Sequence, residues 1–161
     1  MKQNINDLIE KGNKLLKDKQ ILSYQLDTEL LLCEVLNKNR DYLFLNNNEI
    51  LNENSIKKFN ELIKRRSKKE PLAYITNKKE FWKTSFYVNK SVLIPRPDTE
   101  ILIEEMLKYY NKKDNISVLD IGTGSGCIII SILKERKNFT GTAIDISKKA
   151  LNIAKYNAKI H

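Results

Sequence analysis

The sequence predicts an α/β chain: a small helical bundle, a β-hairpin linker, and the opening βαβα part of a doubly wound parallel sheet. Three observations predict it. Apolar residues recur at helical spacing through the first half, the period changes near Ala73, and a glycine-rich turn, DIGTGSGC, stands between two short apolar runs. The boundaries this implies are a helical domain at 1–73, a hairpin linker at 74–92 and the start of the sheet domain at 93–161.

The helices come first. Ile5, Leu8, Ile9, Leu15 and Leu16 make one apolar face, with Gly12 weakening its centre. Ser23 is placed to cap a second helix, on which Leu26, Leu30, Cys33 and Leu36 recur at helical spacing. The segment NNNEILNEN reads as a loop or helix entry. Ile56, Phe59, Leu62 and Ile63 then define another amphipathic helix, ending in the basic run KRRSKKEP. Cations suit the negative end of a helix, and the same run also offers a contact surface for acidic or phosphate-bearing partners.

From Ala73 onward, EFWKTSFYVN (80–89) holds two aromatic runs around Lys83–Ser85, the pattern of a hairpin. LIPRPDTE (93–100) follows. Its prolines fix φ and disfavour helix at the residues before them, which makes a stiff, extended elbow. Asp98 and Glu100 fall in the first turn of the next helix, where carboxylates suit the positive end; Ile103, Met106, Leu107 and Tyr110 form its apolar face. ISVLDI (116–121) reads as a buried strand, Cys127–Leu133 as the opening of a helix, and FTGTAIDI (139–146) as a second strand. SKKALNIAKYNAK is a capped helix with Ala150, Leu151, Ala154 and Ala158 facing inward.

Bulk properties narrow the classes. The 161 residues, 41% hydrophobic, suffice for one domain or two small ones. The net charge of +9 divides into +4 over 1–80 and +5 over 81–161, so it forms no basic tail and does not single out nucleic acid. Only Cys33 and Cys127 occur, without a CxxC pair, which argues against a disulfide framework or a zinc site and for a reducing cytoplasm. The N-terminus lacks an apolar signal core, and the longest apolar run, CIIISIL, is too short to span a bilayer.

The chemistry concentrates at the glycine turn. Gly122, Gly124 and Gly126 permit positive φ and close approach of a ligand to the backbone, at the positive end of the following helix. Thr123 and Ser125 lie between them. Asp145 stands 23 residues beyond Gly122, the separation of an acid that accepts both hydroxyls of a ribose and repels a 2′-phosphate. A dinucleotide fingerprint fails because its third glycine would be Cys127, and no Gly-Lys-Ser/Thr of a P-loop follows. Cys127 reads as a small packing residue, since no histidine is available to activate it.

The pattern D-x-G-x-G-x-G resembles the first motif of S-adenosylmethionine-dependent methyltransferases. With F-x-V-x-x-x-V-L-I-P-R-P-D-T-E before it and AIDISKKAL-IAK-NA after it, essentially the whole chain resembles the HemK/PrmC family of protein-glutamine N5-methyltransferases. That resemblance implies a Rossmann-like class I methyltransferase fold and S-adenosyl-L-methionine as cofactor. It implies contacts from Gly122, Thr123, Gly124, Ser125 and Gly126, with Asp120 at the family's acidic position and Asp145 on the ribose. It also implies that the elbow lines the pocket, which makes Arg96, Thr99 and Glu100 candidate pocket residues. The implied substrate is the GGQ glutamine of peptide chain release factors in the cytoplasm, with no membrane, metal or direct nucleic-acid partner.

Two departures stand out: the family usually has glycine where Asn77 and Lys83 stand. Asn tolerates the left-handed region, whereas Lys83 puts the hairpin geometry in question. The family's catalytic motif, Asn-Pro-Pro-Tyr, is not among the 161 residues, so no catalytic residue is assigned. By the resemblance, that motif holds the substrate amide, and positioning of this kind supplies roughly 7–11 kcal/mol toward reaction. The expectation is a front portion that binds without catalysing, and whose open parallel edge favours self-association or an unstable second half. Other readings are a ribosomal-protein glutamine N5-methyltransferase and a non-catalytic basic module that binds protein or RNA. The glycine spacing argues against a nicotinamide oxidoreductase.

Overall fold

A computed structural model describes residues 3–161 and divides the chain into two compact units, Met1–Thr76 and Asn77–His161.

The first unit consists of helices α1 (Ile5–Asp18), α2 (Tyr24–Leu36), α3 (Arg40–Leu45), α4 (Glu53–Ser67) and α5 (Leu72–Thr76). Asparagines start three of them. Asn4, Asn39 and Asn52 each accept a backbone N–H three residues on, and Asn4 with Asp7 completes a reciprocal capping box. α3 was not anticipated: six residues are too few for a readable period, and its only buried side chain is Leu43.

The core of this unit gathers Ile5, Leu8, Leu16, Leu31, Leu32, Phe59 and Ile63. On α2 the inward residues are Asp27, Thr28, Leu31 and Leu32, whereas Leu26 is exposed, so the predicted stripe is rotated. A helix that is apolar nearly all round leaves its orientation to its neighbours. Gly12 is one of these. A Cβ on it would lie 2.6 Å from Cγ2 of Thr28, so its absence permits close α1–α2 approach. Ser23 does not cap; its hydroxyl donates to Asp27, which also pairs with Arg66 at 2.6 Å. Arg65 forks onto Glu70. Both arginines of KRRSKK are thus engaged within the unit.

In the second unit, β1 (Lys78–Phe81) and β2 (Thr84–Tyr87) form an antiparallel hairpin. Its two-residue turn is Trp82–Lys83, one position earlier than the aromatic runs predict, and both residues have positive φ, 44° and 60°. That is the twist a two-residue hairpin demands, here taken without glycine. Asn77 also has positive φ, and its side chain donates to the Val88 carbonyl. The elbow leads through a short 3-10 turn, Pro97–Thr99, into α6 (Glu100–Tyr109).

β3 (Ser117–Ile121) and β4 (Thr140–Ile144) pair in parallel, joined through α7 (Cys127–Glu135), and α8 (Lys148–Ile160) follows. A Cβ on Gly141 would sit 2.8 Å from Cδ1 of Ile129, which brings α7 tightly onto one face of the sheet. The other face is uncovered. Leu119, Ile121 and Ile144 are exposed, so β3 alternates where a fully buried strand was predicted. Of the predicted inward residues of α8, Ala150 and Ala154 are buried, Leu151 is half-buried and Ala158 is exposed. The stripe runs instead through Ile153 and Asn157.

Candidate adenosyl-binding site

The site forms where β3 and β4 end, at the carboxyl edge of the parallel pair, the usual ligand edge of such sheets. Gly122, Gly124 and Gly126 have φ of 76°, 55° and 79°, a region open to glycine at little cost, and between them they fold the turn into a tight knuckle. The N–H groups of Gly122 and Thr123 both donate to the Ile144 carbonyl, at 2.9 and 3.0 Å. The Gly126 N–H closes back on the Thr123 carbonyl at 2.8 Å, and α7 begins at Cys127.

Asp145 occupies the position after β4 that the spacing predicts. One carboxylate oxygen accepts the Gly124 N–H at 2.9 Å, and the other accepts the Ser147 N–H at 2.8 Å. These bonds hold its pKa below the ordinary aspartate value. Each oxygen keeps a further lone pair for a hydroxyl donor. Asp120, at the end of β3, accepts the Thr123 hydroxyl at 2.7 Å. Thr123 and Ser125 are themselves buried.

Those hydrogen bonds decide which ligands fit. A phosphate-binding turn aims free N–H groups at its anion. Here the amides of Gly122, Thr123, Gly124 and Gly126 are spent on the protein's own carbonyls and on Asp145. Two carboxylates flank the turn. The arrangement disfavours phosphate and leaves carboxylate lone pairs available to hydroxyl donors or a positive group. Cys127 is buried beside this turn, and burial pushes its thiol pKa up, which disfavours the reactive thiolate.

The elbow residues lie as follows. Pro95 is buried, and Arg96, Pro97 and Asp98 are exposed. Thr99 is half-buried, and its N–H donates to the Arg96 carbonyl. The Glu100 carboxylate accepts the Trp82 backbone N–H at 3.1 Å, which ties the start of α6 to the hairpin turn. Trp82 Nε1 donates to Glu135 at the end of α7. Among the described residues, no group of three or more His, Cys, Asp or Glu could hold a metal ion, and no helix is long and apolar enough to cross a membrane.

One residue that the sequence reading missed is Asn157. It is fully buried on α8, and its side chain bonds to the glycine turn and to β2 together. The available signal was a polar residue three positions after Ala154, on the helix's apolar stripe.

Comparison with known proteins gives matching results at both ends of the chain. The PrmC N-terminal domain family matches residues 7–76, and a methyltransferase domain family matches residues 112–161. The chain is 46% identical to the release factor glutamine methyltransferase of Leptospira interrogans over 158 residues, which cover 96% of this chain and 54% of that protein. It is 42% identical to the release factor glutamine methyltransferase of Clostridium acetobutylicum, over 95% of this chain and 54% of that protein. It is 39% identical to a bifunctional methyltransferase of Rickettsia conorii, over 98% of this chain and 34% of that protein. The chain therefore spans about half the length of the release factor methyltransferases it matches. A methyltransferase domain implies a methyl donor.

Proposed function

We propose that this chain belongs to the HemK/PrmC family of methyltransferases and that its protein transfers a methyl group from S-adenosylmethionine to a glutamine side chain of peptide chain release factors. The observation that carries this reading is the 46% identity spread over 96% of the chain, across both the helical unit and the glycine turn. In this reading the first unit recognises the protein substrate, and the second supplies the first half of the cofactor site.

The geometry supports the cofactor assignment. Asp145 is the acceptor for the ribose hydroxyls, and the turn from Gly122 to Gly126 is the floor on which the methionine part rests. Asp120 and Asp145 provide the negative surroundings that a sulfonium prefers to a phosphate. The cofactor brings an activated methyl group, and the protein's task is to hold donor and acceptor in line. Pocket roles for Arg96 and Thr99 belong to the same proposal. Glu100 contributes by fixing the start of α6. On the first unit, a shallow groove of about 500 Å³ lined by Ile9, Glu29, Arg40 and Phe44 is a candidate seat for the substrate protein. Phe44 and Leu45 are largely exposed beside it.

The direct test is to incubate the full-length protein with methyl-labelled S-adenosylmethionine and a purified release factor. Label on the glutamine of its GGQ segment is the expected result. Label on a ribosomal protein alone, or on neither, would overturn the substrate assignment.

A further inference from the structure

We propose that Asn157 is a positioning residue for the cofactor turn: from α8 it fixes one peptide plane of the glycine loop and couples that loop to the hairpin. The inference rests on the reading of the turn as an adenosyl site. Its basis is three hydrogen bonds from one fully buried side chain. Asn157 Nδ2 donates to the Ser125 carbonyl at 2.8 Å and to the Tyr87 carbonyl at 3.0 Å, while Oδ1 accepts the Tyr87 N–H at 2.9 Å.

The amide therefore pairs with both backbone groups of Tyr87, as a neighbouring strand would, and spends its second donated bond on the loop. At the loop, the effect falls on one peptide group. The Ser125 carbonyl is held by Asn157, and the Gly126 N–H of the same peptide is held by the Thr123 carbonyl at 2.8 Å. With both ends bonded, that plane cannot flip, although the glycine after it has left-handed freedom. The turn is then pinned at three places: at its start by the Ile144 carbonyl, at its apex by Asp145, and at its exit by Asn157. The third pin is the only one of these that reaches outside the βαβ unit.

A purely structural role would also make Asn157 important, so the test needs a control on the same seam. The Tyr87 and Tyr156 rings meet edge-on at 5.1 Å between centroids, so Tyr156→Ala loosens α8 from β2 without touching Ser125. S-adenosylhomocysteine is titrated calorimetrically into the wild-type full chain, Asn157→Ala and Tyr156→Ala, all on their folded baselines. In parallel, amide exchange at Gly126 is followed without ligand. The expected results are affinity at least tenfold weaker in Asn157→Ala, a loss under threefold in Tyr156→Ala, and faster Gly126 exchange in the first variant alone. Should Asn157→Ala fail to fold, the Nδ2 protons of the wild type carry the test, and they are expected to shift on saturation with the same ligand. Equal affinities in wild type and Asn157→Ala, equal losses in the two variants, or unmoved Nδ2 protons on saturation would overturn the proposal. A wild-type chain that does not bind would instead overturn the adenosyl reading itself.

Discussion

The carboxylate of Asp145 accepts the backbone N–H of Gly124 at 2.9 Å, so the residue that follows β4 holds the apex of the turn between β3 and α7. Its other oxygen takes the Ser147 N–H at the start of α8. The residue proposed to contact the ligand is thus also part of the scaffold of its own site.

This has a pH consequence. The Ser147 and Gly124 N–H groups favour the charged carboxylate and lower its pKa in the folded chain. The stabilisation is then complete above the ordinary aspartate range, about 3.9, and is lost as pH falls through the lower folded value. A carboxyl NMR titration is expected to place the Asp145 midpoint below that range. A midpoint at or above it would contradict the two backbone bonds.

Arg136 should be a costly polar side chain to remove from the second unit. It is buried, and its guanidinium donates to the Leu107 carbonyl at 2.7 Å and the Tyr110 carbonyl at 3.2 Å, closing the end of α6 from beside α7. Arg136→Met leaves these acceptors without a donor, a loss of about 2–3 kcal/mol. Urea unfolding measures it, and Arg136→Lys should recover only part because one ammonium cannot reproduce the fork.

Lys83→Gly is expected to leave the stability of the hairpin nearly unchanged, because relieved strain offsets lost contacts. Lys83 holds φ of 60° in the turn, a conformation that costs a residue with a Cβ roughly 1–2 kcal/mol. What it contributes in return is a largely exposed ion pair with Glu135 at 3.2 Å, worth about 0–1 kcal/mol, and an ammonium 5.3 Å from the Trp82 ring centroid, worth about 0.5–1 kcal/mol. After the entropy that glycine loses on folding, about 0.5–1 kcal/mol, the terms cancel to within about 1 kcal/mol, so the Tm should move by only a few degrees. A larger fall in Tm would mean that the Lys83 contacts outweigh the strain.

Gly12→Ala tests the first unit. The added methyl gains about 1 kcal/mol of helix propensity but meets Thr28 Cγ2 at 2.6 Å and Phe59 Cζ at 3.1 Å. Overpacking of a filled core costs about 1–3 kcal/mol, so the variant should be less stable. Adding Thr28→Ser, which removes the offending methyl, should restore much of the loss in a denaturation series.

Much of this architecture was legible because chemistry fixed it locally. The spacing of Gly122, Gly124 and Gly126 permits the positive φ that all three adopt, and Asp145 follows from the length of one βαβ unit. Asn77 and Lys83 were marked as places where glycine belongs, and both have left-handed φ. What failed depended on neighbours. The inward face of α2 is chosen by Gly12 and Arg66 on other helices, which its own apolar pattern cannot report. β3 was read as buried because Ile, Val and Leu run through it, yet only one face of the sheet is covered. An apolar stripe on α8 points to Ala158 and away from Asn157, because a buried amide interrupts the pattern.

The turn and Asp145 together make up the proposed adenosyl site. Calorimetric titration of the full chain with S-adenosylhomocysteine, beside an Asp145→Asn variant, tests it most directly. Saturable binding is expected in the wild type, weakened at least tenfold in the variant, with both chains folded. Binding of equal strength in the two would contradict it, because Asp145 would then have no part in holding the nucleoside.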